Sequence, residues 1–267
     1  MMNKSIFVAC DSSNLNKIQK IINQTSSRKL LIVPKFGLQF FYSKKGRQFL
    51  ENIKSDFWLD LKINDIPQTA ISAVHSIKDL KNCKYLTVHA SGGLEMLKAV
   101  KKKAKKINKN LKILGVTVLT SLNNKSLREI GYTKNIKKLV LRQAELIKKS
   151  GCDGIVCSAQ EALMIRKKYK KMLIITPGIR LPGDKSNDQK RIMTPKNAFE
   201  NKTAQKELIS EFGSDIISAD GSIPFPSCNR PSSCKISRTL PLVSTVTSLF
   251  PQSIHSLTSP GINFNPL

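Results

Sequence analysis

Short apolar runs alternate with amphipathic stretches through the first two hundred residues of the chain. The runs with the length of buried strands are residues 6–9, 30–33, 57–59, 85–88, 113–118, 154–157 and 173–176, and Ile216-Ile217 further along is a candidate for an eighth strand. Between them, stretches such as 94–107 and 136–149 carry apolar residues at the three- and four-residue spacing of helices. Strands that alternate with helices indicate a parallel sheet, and this many repeats favour a closed (β/α)8 barrel. A chain of 267 residues is long enough, because such barrels typically take roughly 250 residues.

The third apolar run continues directly into a charged stretch that contains Asp60, Lys62 and Asp65. Side chains alternate between the two faces of a strand, so Asp60 and Lys62 should point to the same side. Pro67 ends the strand because proline fixes φ and lacks an N–H, and a helix is expected to open at Gln68. An isolated Asp-x-Lys pair is most often a satisfied ion pair at a strand edge. The residues around the pair therefore decide whether it indicates a structural ion pair or a functional site.

Polar motifs follow several of the other predicted strands in the same way. They are Ala9-Cys10-Asp11, Lys35-Phe36-Gly37, the stretch from Val88 to Gly93, the stretch from Val116 to Ser121, the stretch from Val156 to Ala162, and Thr176-Pro177-Gly178-Ile179-Arg180. Barrel enzymes carry their chemistry at the C-terminal rim of the strands. These motifs are therefore expected to converge in space.

Together with Asp-x-Lys-x-x-Asp-Ile-Pro-x-Thr at residues 60–69, this ordered series resembles the orotidine 5′-phosphate decarboxylase family from about residue 5 to about residue 200. The resemblance implies a (β/α)8 TIM barrel and a lyase of pyrimidine biosynthesis. That enzyme decarboxylates orotidine 5′-phosphate to UMP and CO2 without a metal or an organic cofactor. The difficult step leaves a carbanion-like centre at C6, which the fixed charges of the protein must stabilise.

The resemblance also implies roles for individual residues. Lys62 matches the proton donor to C6, and Asp60 would lie against the departing carboxylate and hold Lys62 in place. Lys35 would neighbour Asp60 and contact the ribose, and Asp11 would accept a hydrogen bond from a ribose hydroxyl. Taken alone, Asp11 is more often a turn or helix-cap aspartate. His89 is expected to be a structural histidine of the barrel rim.

The remaining matched positions concern the substrate's other groups and a second subunit. Asp65 and Thr69 match residues that reach into the partner's site, which implies a homodimer with shared active sites. Thr120 matches the pyrimidine contact, while Arg180 and Gln189 match the residues that grip the phosphate. The family's histidine between the two catalytic positions is replaced here by Asn64.

The composition changes abruptly near the C-terminus. From 222 to 267 the chain is rich in Ser and Pro and contains no acidic residue. We therefore expect a barrel domain over 1–221 and an atypical tail over 222–267, either disordered or the product of a displaced reading frame. The family's Gly-Arg pair, a third phosphate contact, should stand near Asp220-Gly221, where no arginine is present. An inactive or binding-only homologue is therefore an alternative.

A second alternative within the same superfamily is a sugar-phosphate decarboxylase or aldolase. Such proteins use magnesium with an Asp-x-Lys-x-x-Asp core. They do not carry the Ile-Pro-x-Thr continuation at residues 66–69, nor Thr-Pro-Gly-Ile-Arg at its spacing from Gln189. These two features favour orotidine 5′-phosphate as the substrate.

The net charge of +27 raises the question of nucleic-acid binding. The lysines, however, are spread over nearly every predicted helix with few aromatic residues between them to stack bases. We therefore expect a solvated basic exterior that attracts anionic substrates, and no nucleic-acid partner.

The cysteines and the apolar runs bear on the compartment. None of the six cysteines forms a C-x-x-C pair, and Cys10 and Cys157 lie in apolar runs typical of reduced core residues. No signal peptide precedes Phe7, and no apolar run is long enough to span a bilayer. A cytoplasmic location without membrane contact is expected.

Overall fold

A computed structural model describes residues 5–25, 31–177 and 216–218. Eight parallel strands form one sheet in sequence order. They are β1 Ser5–Ala9, β2 Leu31–Gly37, β3 Phe57–Ile63, β4 Cys83–His89, β5 Lys112–Val116, β6 Gly154–Val156, β7 Leu173–Thr176 and β8 Ile216–Ser218. Residues of β8 come within 8 Å of residues of β1, Cα to Cα, so the two edges of the curled sheet approach each other. The predicted (β/α)8 barrel architecture is confirmed.

The helices follow the strands along the chain. They are α1 Leu15–Gln24, α2 Leu38–Phe41, α3 Gly46–Asn52, α4 Pro67–His75, α5 Gly93–Ile107, α6 Asn124–Glu129, α7 Ile136–Ser150 and α8 Ala159–Lys168, with a 3-10 turn at Ala90–Gly92. Helix α4 begins with Pro67 at its first turn, where the missing N–H costs no hydrogen bond. The two helical stretches predicted at 94–107 and 136–149 correspond to α5 and α7.

Two apolar layers hold the barrel together. Inside it, Phe7 packs edge-on against Trp58 and Tyr85, with ring centroids 4.7 and 5.0 Å apart. Outside it, the helices bury one face against the strands, as α5 does with Met96 and Val100. The opposite face of α5 is exposed and lysine-rich, in agreement with a basic exterior.

Strands β2 and β3 each run several residues beyond the apolar stretch that predicts them. Strand β2 continues through Pro34 to Gly37, and the carbonyl of Lys35 accepts a 2.8 Å hydrogen bond from the N–H of Cys10. Strand β3 continues beyond Leu59 to Ile63, so Asp60 and Lys62 belong to the strand itself. The sheet's hydrogen bonds extend past the apolar core, which is why polar residues occupy the strand ends.

Several expectations lie outside the described residues. They concern Arg180, Gln189, the Asp220-Gly221 pair and the tail at 222–267. In the part of the chain that the structure describes, no helix combines the length and the apolar character needed to cross a membrane.

Candidate active site

A cluster of opposite charges stands at the C-terminal rim of the first three strands. Asp60 of β3 lies between two lysines: its Oδ2 is 2.8 Å from Nζ of Lys62 and 3.5 Å from Nζ of Lys35. The Lys35 ammonium also lies 3.3 Å from Oδ2 of Asp11, just beyond β1. The structure thus brings together four of the predicted site residues.

The backbone explains why these side chains can meet. Gly37, at the end of β2, leaves room for Asp11, because a Cβ at this glycine would lie 2.8 Å from Oδ1 of that aspartate. Strand β3 is irregular against β4: Leu59 pairs with Leu86, and the next pair joins Ile63 to Val88. The residues between these pairs form a bulge, and bulges re-aim side chains at barrel rims.

Lys62 sits in this bulge with φ of 48°, a left-handed conformation that is strained for a residue with a side chain. Strand alternation alone predicted that Asp60 and Lys62 point to the same side. They do meet, but through a local backbone distortion and not through a regular strand.

Burial and charge act against each other in the cluster. Lys35 and Asp60 are only 8% and 9% exposed, so water screens their charges poorly. Burial works to lower the pKa of Lys35, but the charges of Asp60 and Asp11 outweigh it and raise that pKa above its usual range. Burial likewise works to raise the pKa of Asp60, and the charges of Lys35 and Lys62 lower it instead. Both groups are therefore held in their charged forms.

Sequence reasoning missed Thr87, a fully buried residue of β4 that contacts the cluster. Its hydroxyl donates a 2.9 Å hydrogen bond to Oδ1 of Asp60 and accepts one of 2.9 Å from the N–H of Lys62. A signal for it was present in the sequence. Residues two positions apart on a strand face the same side, so Thr87 points the same way as Tyr85, which faces the barrel interior, and as His89 at the rim.

His89 ends β4, and its Nδ1 lies 3.2 Å from the hydroxyl of Ser91. That hydroxyl is 3.3 Å from Oδ1 of Asn64. Burial lowers the pKa of His89, and the nearby charge of Lys62 lowers it further. A neutral, hydrogen-bonded imidazole fits the structural role that was predicted for it.

The other predicted positions lie around the rim. Asp65 and Thr69 are exposed at the start of α4, and the Asp65 carboxylate accepts a 2.7 Å hydrogen bond from the N–H of Ile66. Thr120 is half-buried in the loop after β5. None of these three belongs to the charged cluster.

In the described part of the chain, four cysteines are buried and form no disulfide bond: Cys10, Cys83, Cys152 and Cys157. Burial, with a contribution from Asp11, raises the pKa of Cys10 to about 12, so it stays a thiol. Among the residues that the structure describes, no three His, Cys, Asp or Glu side chains are grouped to hold a metal ion.

Fold and site together define a class: a (β/α)8-barrel protein with a Lys-Asp-Lys array around a buried carboxylate, at the rim where barrel enzymes carry out their chemistry. A model of the "Orotidine 5′-phosphate decarboxylase / HUMPS family" matches residues 4–205. The chain belongs to this family.

Relatives narrow the picture within the family. An orotidine 5′-phosphate decarboxylase of Carboxydothermus hydrogenoformans is 38% identical over 207 residues, covering 74% of this chain and 85% of that protein. One of Coxiella burnetii is 36% identical over 201 residues, covering 73% and 84%.

Solved structures agree with these relatives. The orotidine 5′-phosphate decarboxylase of Lactobacillus acidophilus superposes with a TM-score of 0.62 at 29% identity, over 81% of this chain and 89% of that one. A Methanocaldococcus jannaschii orotidine 5′-monophosphate decarboxylase, complexed with the inhibitor BMP, has a TM-score of 0.57 at 21% identity, over 82% and 88%, and supports the fold.

Proposed function

We propose that this protein decarboxylates orotidine 5′-phosphate to UMP and CO2. The Lys35-Asp60-Lys62 array carries the proposal, because it places a buried carboxylate between two ammonium groups 3.5 and 2.8 Å away. Breaking the bond between C6 and the carboxylate leaves an electron pair on C6 of the pyrimidine. A fixed positive charge beside that carbon stabilises the developing negative charge without reorganisation.

Lys62 is the proton donor in this proposal. Its ammonium faces the developing charge and then protonates C6, which yields UMP and a neutral amine that regains a proton from solvent. Lys62 suits the task because its side chain is 35% exposed, whereas that of Lys35 is 10% exposed. The exposed lysine can reach both the substrate and water.

Asp60 has two tasks in the proposed reaction. Its carboxylate orients Lys62, and it stands where the substrate's carboxylate would approach, so the repulsion between them is relieved as CO2 departs. The lowered pKa of Asp60 supports this assignment, because the residue stays negative throughout the neutral range. Lys35 holds Asp60 from the other side and, with Asp11, is positioned for the ribose hydroxyls.

The remaining contacts are assigned by their match to the family. Thr120 would contact the pyrimidine, and Arg180 with Gln189 would bind the phosphate. Asp65 and Thr69 would complete the site of a partner subunit, so that a homodimer is the active unit. Their exposure at the start of α4 leaves them available for a neighbouring chain. We also propose that the protein acts in the cytoplasm, where the pyrimidine pathway would supply its substrate.

The test is turnover of orotidine 5′-phosphate by the full-length protein in the presence of EDTA, followed by the absorbance change on conversion to UMP. We expect turnover without added metal. Sedimentation of the same sample should give a dimer. No turnover of orotidine 5′-phosphate would favour the inactive homologue. Magnesium-dependent turnover of a sugar phosphate in its place, in a parallel assay without EDTA, would favour the sugar-phosphate decarboxylase or aldolase.

A further inference from the structure

Thr87 occupies a special position in the sheet. Between the pairs Leu59–Leu86 and Ile63–Val88, three residues of β3, from Asp60 to Lys62, stand opposite this one residue of β4. On its other side Thr87 pairs regularly with Leu114 of β5. The bulge that carries Asp60 and Lys62 therefore lies against one residue, Thr87, whose backbone is held in place by its regular pairing with β5.

The hydroxyl of Thr87 supports the strained backbone. An N–H inside a bulge loses its regular ladder partner, and a buried donor without a partner is costly. The N–H of Lys62 instead donates to Oγ1 of Thr87 at 2.9 Å. This hydrogen bond secures Lys62 at φ of 48°, a conformation that persists only where the surroundings determine it.

The same hydroxyl orients the carboxylate of Asp60. Both lysines approach Oδ2, and Thr87 donates to Oδ1. One hydroxyl can donate one hydrogen bond and accept another, so Thr87 uses both capacities on neighbouring residues of the site. It fixes the carboxylate and the backbone of the lysine relative to each other.

We propose that Thr87 is a positioning residue of the active site: its hydroxyl sets the geometry between Asp60 and Lys62 and thereby the rate of the chemical step. This inference rests on the proposed function for its kinetic consequence. The rival explanation is that Thr87 is an ordinary buried threonine whose hydroxyl only satisfies the backbone.

Thr117 provides a matched control for that rival. It is also fully buried, and its hydroxyl donates to the backbone carbonyl of Val156 at 3.1 Å. Its hydrogen bond joins the residue that follows β5 to the end of β6 and involves none of the charged residues. Thr87→Val and Thr117→Val each replace one buried hydroxyl by a methyl group of similar volume.

The experiment measures kcat and KM for orotidine 5′-phosphate in the wild type, Thr87→Val, Thr87→Ser and Thr117→Val. Because small displacements of a catalytic group can cost about 100-fold, we expect Thr87→Val to lower kcat about 10- to 100-fold. Its KM should change less than about threefold, since no assigned substrate contact is removed. Thr87→Ser keeps the hydroxyl and should restore kcat to within about threefold of the wild type. Thr117→Val removes no hydrogen bond of the charged cluster, so its kcat should fall much less than that of Thr87→Val, by less than about threefold.

A second readout does not depend on turnover. In crystal structures, Thr87→Val should release Lys62 from its left-handed φ or separate its Nζ from Asp60, and Thr117→Val should do neither. If Thr87→Val does not fold, Thr87→Cys, which has a weaker hydrogen-bonding group, takes its place with the same expectations.

The outcomes separate the two proposals. An inactive wild type would overturn the proposed decarboxylase, and the crystal structures would still decide the role of Thr87. An active wild type with unchanged kcat in Thr87→Val, or unchanged Lys62 geometry in that variant, would overturn the positioning role. A low kcat in Thr87→Ser would overturn it as well, because the hydroxyl would then not be the group that matters.

Discussion

The β3–β4 seam, where Phe57–Ile63 meets Cys83–His89, differs from the β6–β7 seam, where Gly154–Val156 meets Leu173–Thr176. The first has two register shifts and ends in charged side chains, while the second pairs residue for residue without a shift. Both belong to one parallel sheet and have buried apolar residues along their length. The irregular β3–β4 seam has fewer regular strand pairs and places charged side chains at the barrel rim. The regular β6–β7 seam contributes buried apolar packing.

This contrast explains why strain occurs at one side of the rim. Holding Lys62 at a positive φ requires a surrounding structure that determines it, and strained residues cluster at functional sites. The opposite side is regular and tightly packed instead. At Gly154 the backbone approaches the carbonyl oxygen of Leu173 so closely that a Cβ would lie only 3.0 Å from it. The two sides of the sheet therefore differ in backbone strain as well as in strand pairing.

The largest effect is expected from removing Lys62, the proposed proton donor at the irregular seam. Lys62→Ala should lower turnover at least about 1000-fold, because both a general acid and a fixed positive charge are lost. Folding should persist, since Lys35 remains 3.5 Å from the carboxylate of Asp60. Turnover and thermal unfolding, measured on the same preparation, check the two statements.

Lys149→Ala is the matched control for this prediction. Lys149 lies on α7, where its ammonium contacts Glu145 at 2.7 Å on the protein surface. Such exposed pairs contribute little, so both turnover and unfolding temperature should stay near the wild-type values. Substantial residual turnover in Lys62→Ala would reject Lys62 as the proton donor.

The sequence predicts the strands and the charged residues of the β3–β4 seam but not its bulge. The apolar runs predicted the strands, and the order of the polar motifs predicted that Asp11, Lys35 and Asp60 would share one rim. The bulge was not predictable, because it depends on how residues 60–62 pair with Thr87, 25 or more positions away. The φ of Lys62 and the role of Thr87 follow from that pairing, which no local pattern along β3 or β4 contains.

A medium effect is expected from neutralising the central carboxylate. Asp60→Asn leaves Lys35 and Lys62 close together without the charge between them, so at pH 7 the free energy of unfolding should fall by about 2–4 kcal/mol. The pKa of Asp60 is lowered in the folded protein, so its contribution is present above the unfolded-state pKa of about 3.9. That contribution is lost as the pH falls through the folded-state value.

Urea unfolding of the wild type and Asp60→Asn between pH 7 and pH 3 tests this dependence. The difference between the two proteins should be constant down to about pH 4 and should shrink below it, because Asp60 of the unfolded wild-type chain then takes up a proton while the folded carboxylate stays charged. Other acidic groups titrate in both proteins and cancel in the difference. A difference that grows with acidity would contradict the assigned direction of the Asp60 pKa.

The smallest effect on turnover is expected at the regular seam. In Gly154→Ala the new Cβ would lie 2.8 Å from Cδ2 of Leu114 and 3.0 Å from the carbonyl oxygen of Leu173. The leucine side chain can move, but the backbone oxygen belongs to the paired strand, so overpacking should cost about 1–3 kcal/mol of unfolding free energy. Turnover below the unfolding transition should stay within about twofold of the wild type, because no residue of the charged cluster contacts this position.

If Gly154→Ala lowered kcat as strongly as a change in the β3–β4 seam, packing and chemistry would not be separable between the two seams. A strain at β6 would then have to reach Lys62 through the intervening strands β4 and β5, and the geometry of the charged cluster would depend on the whole sheet and not on the bulge alone.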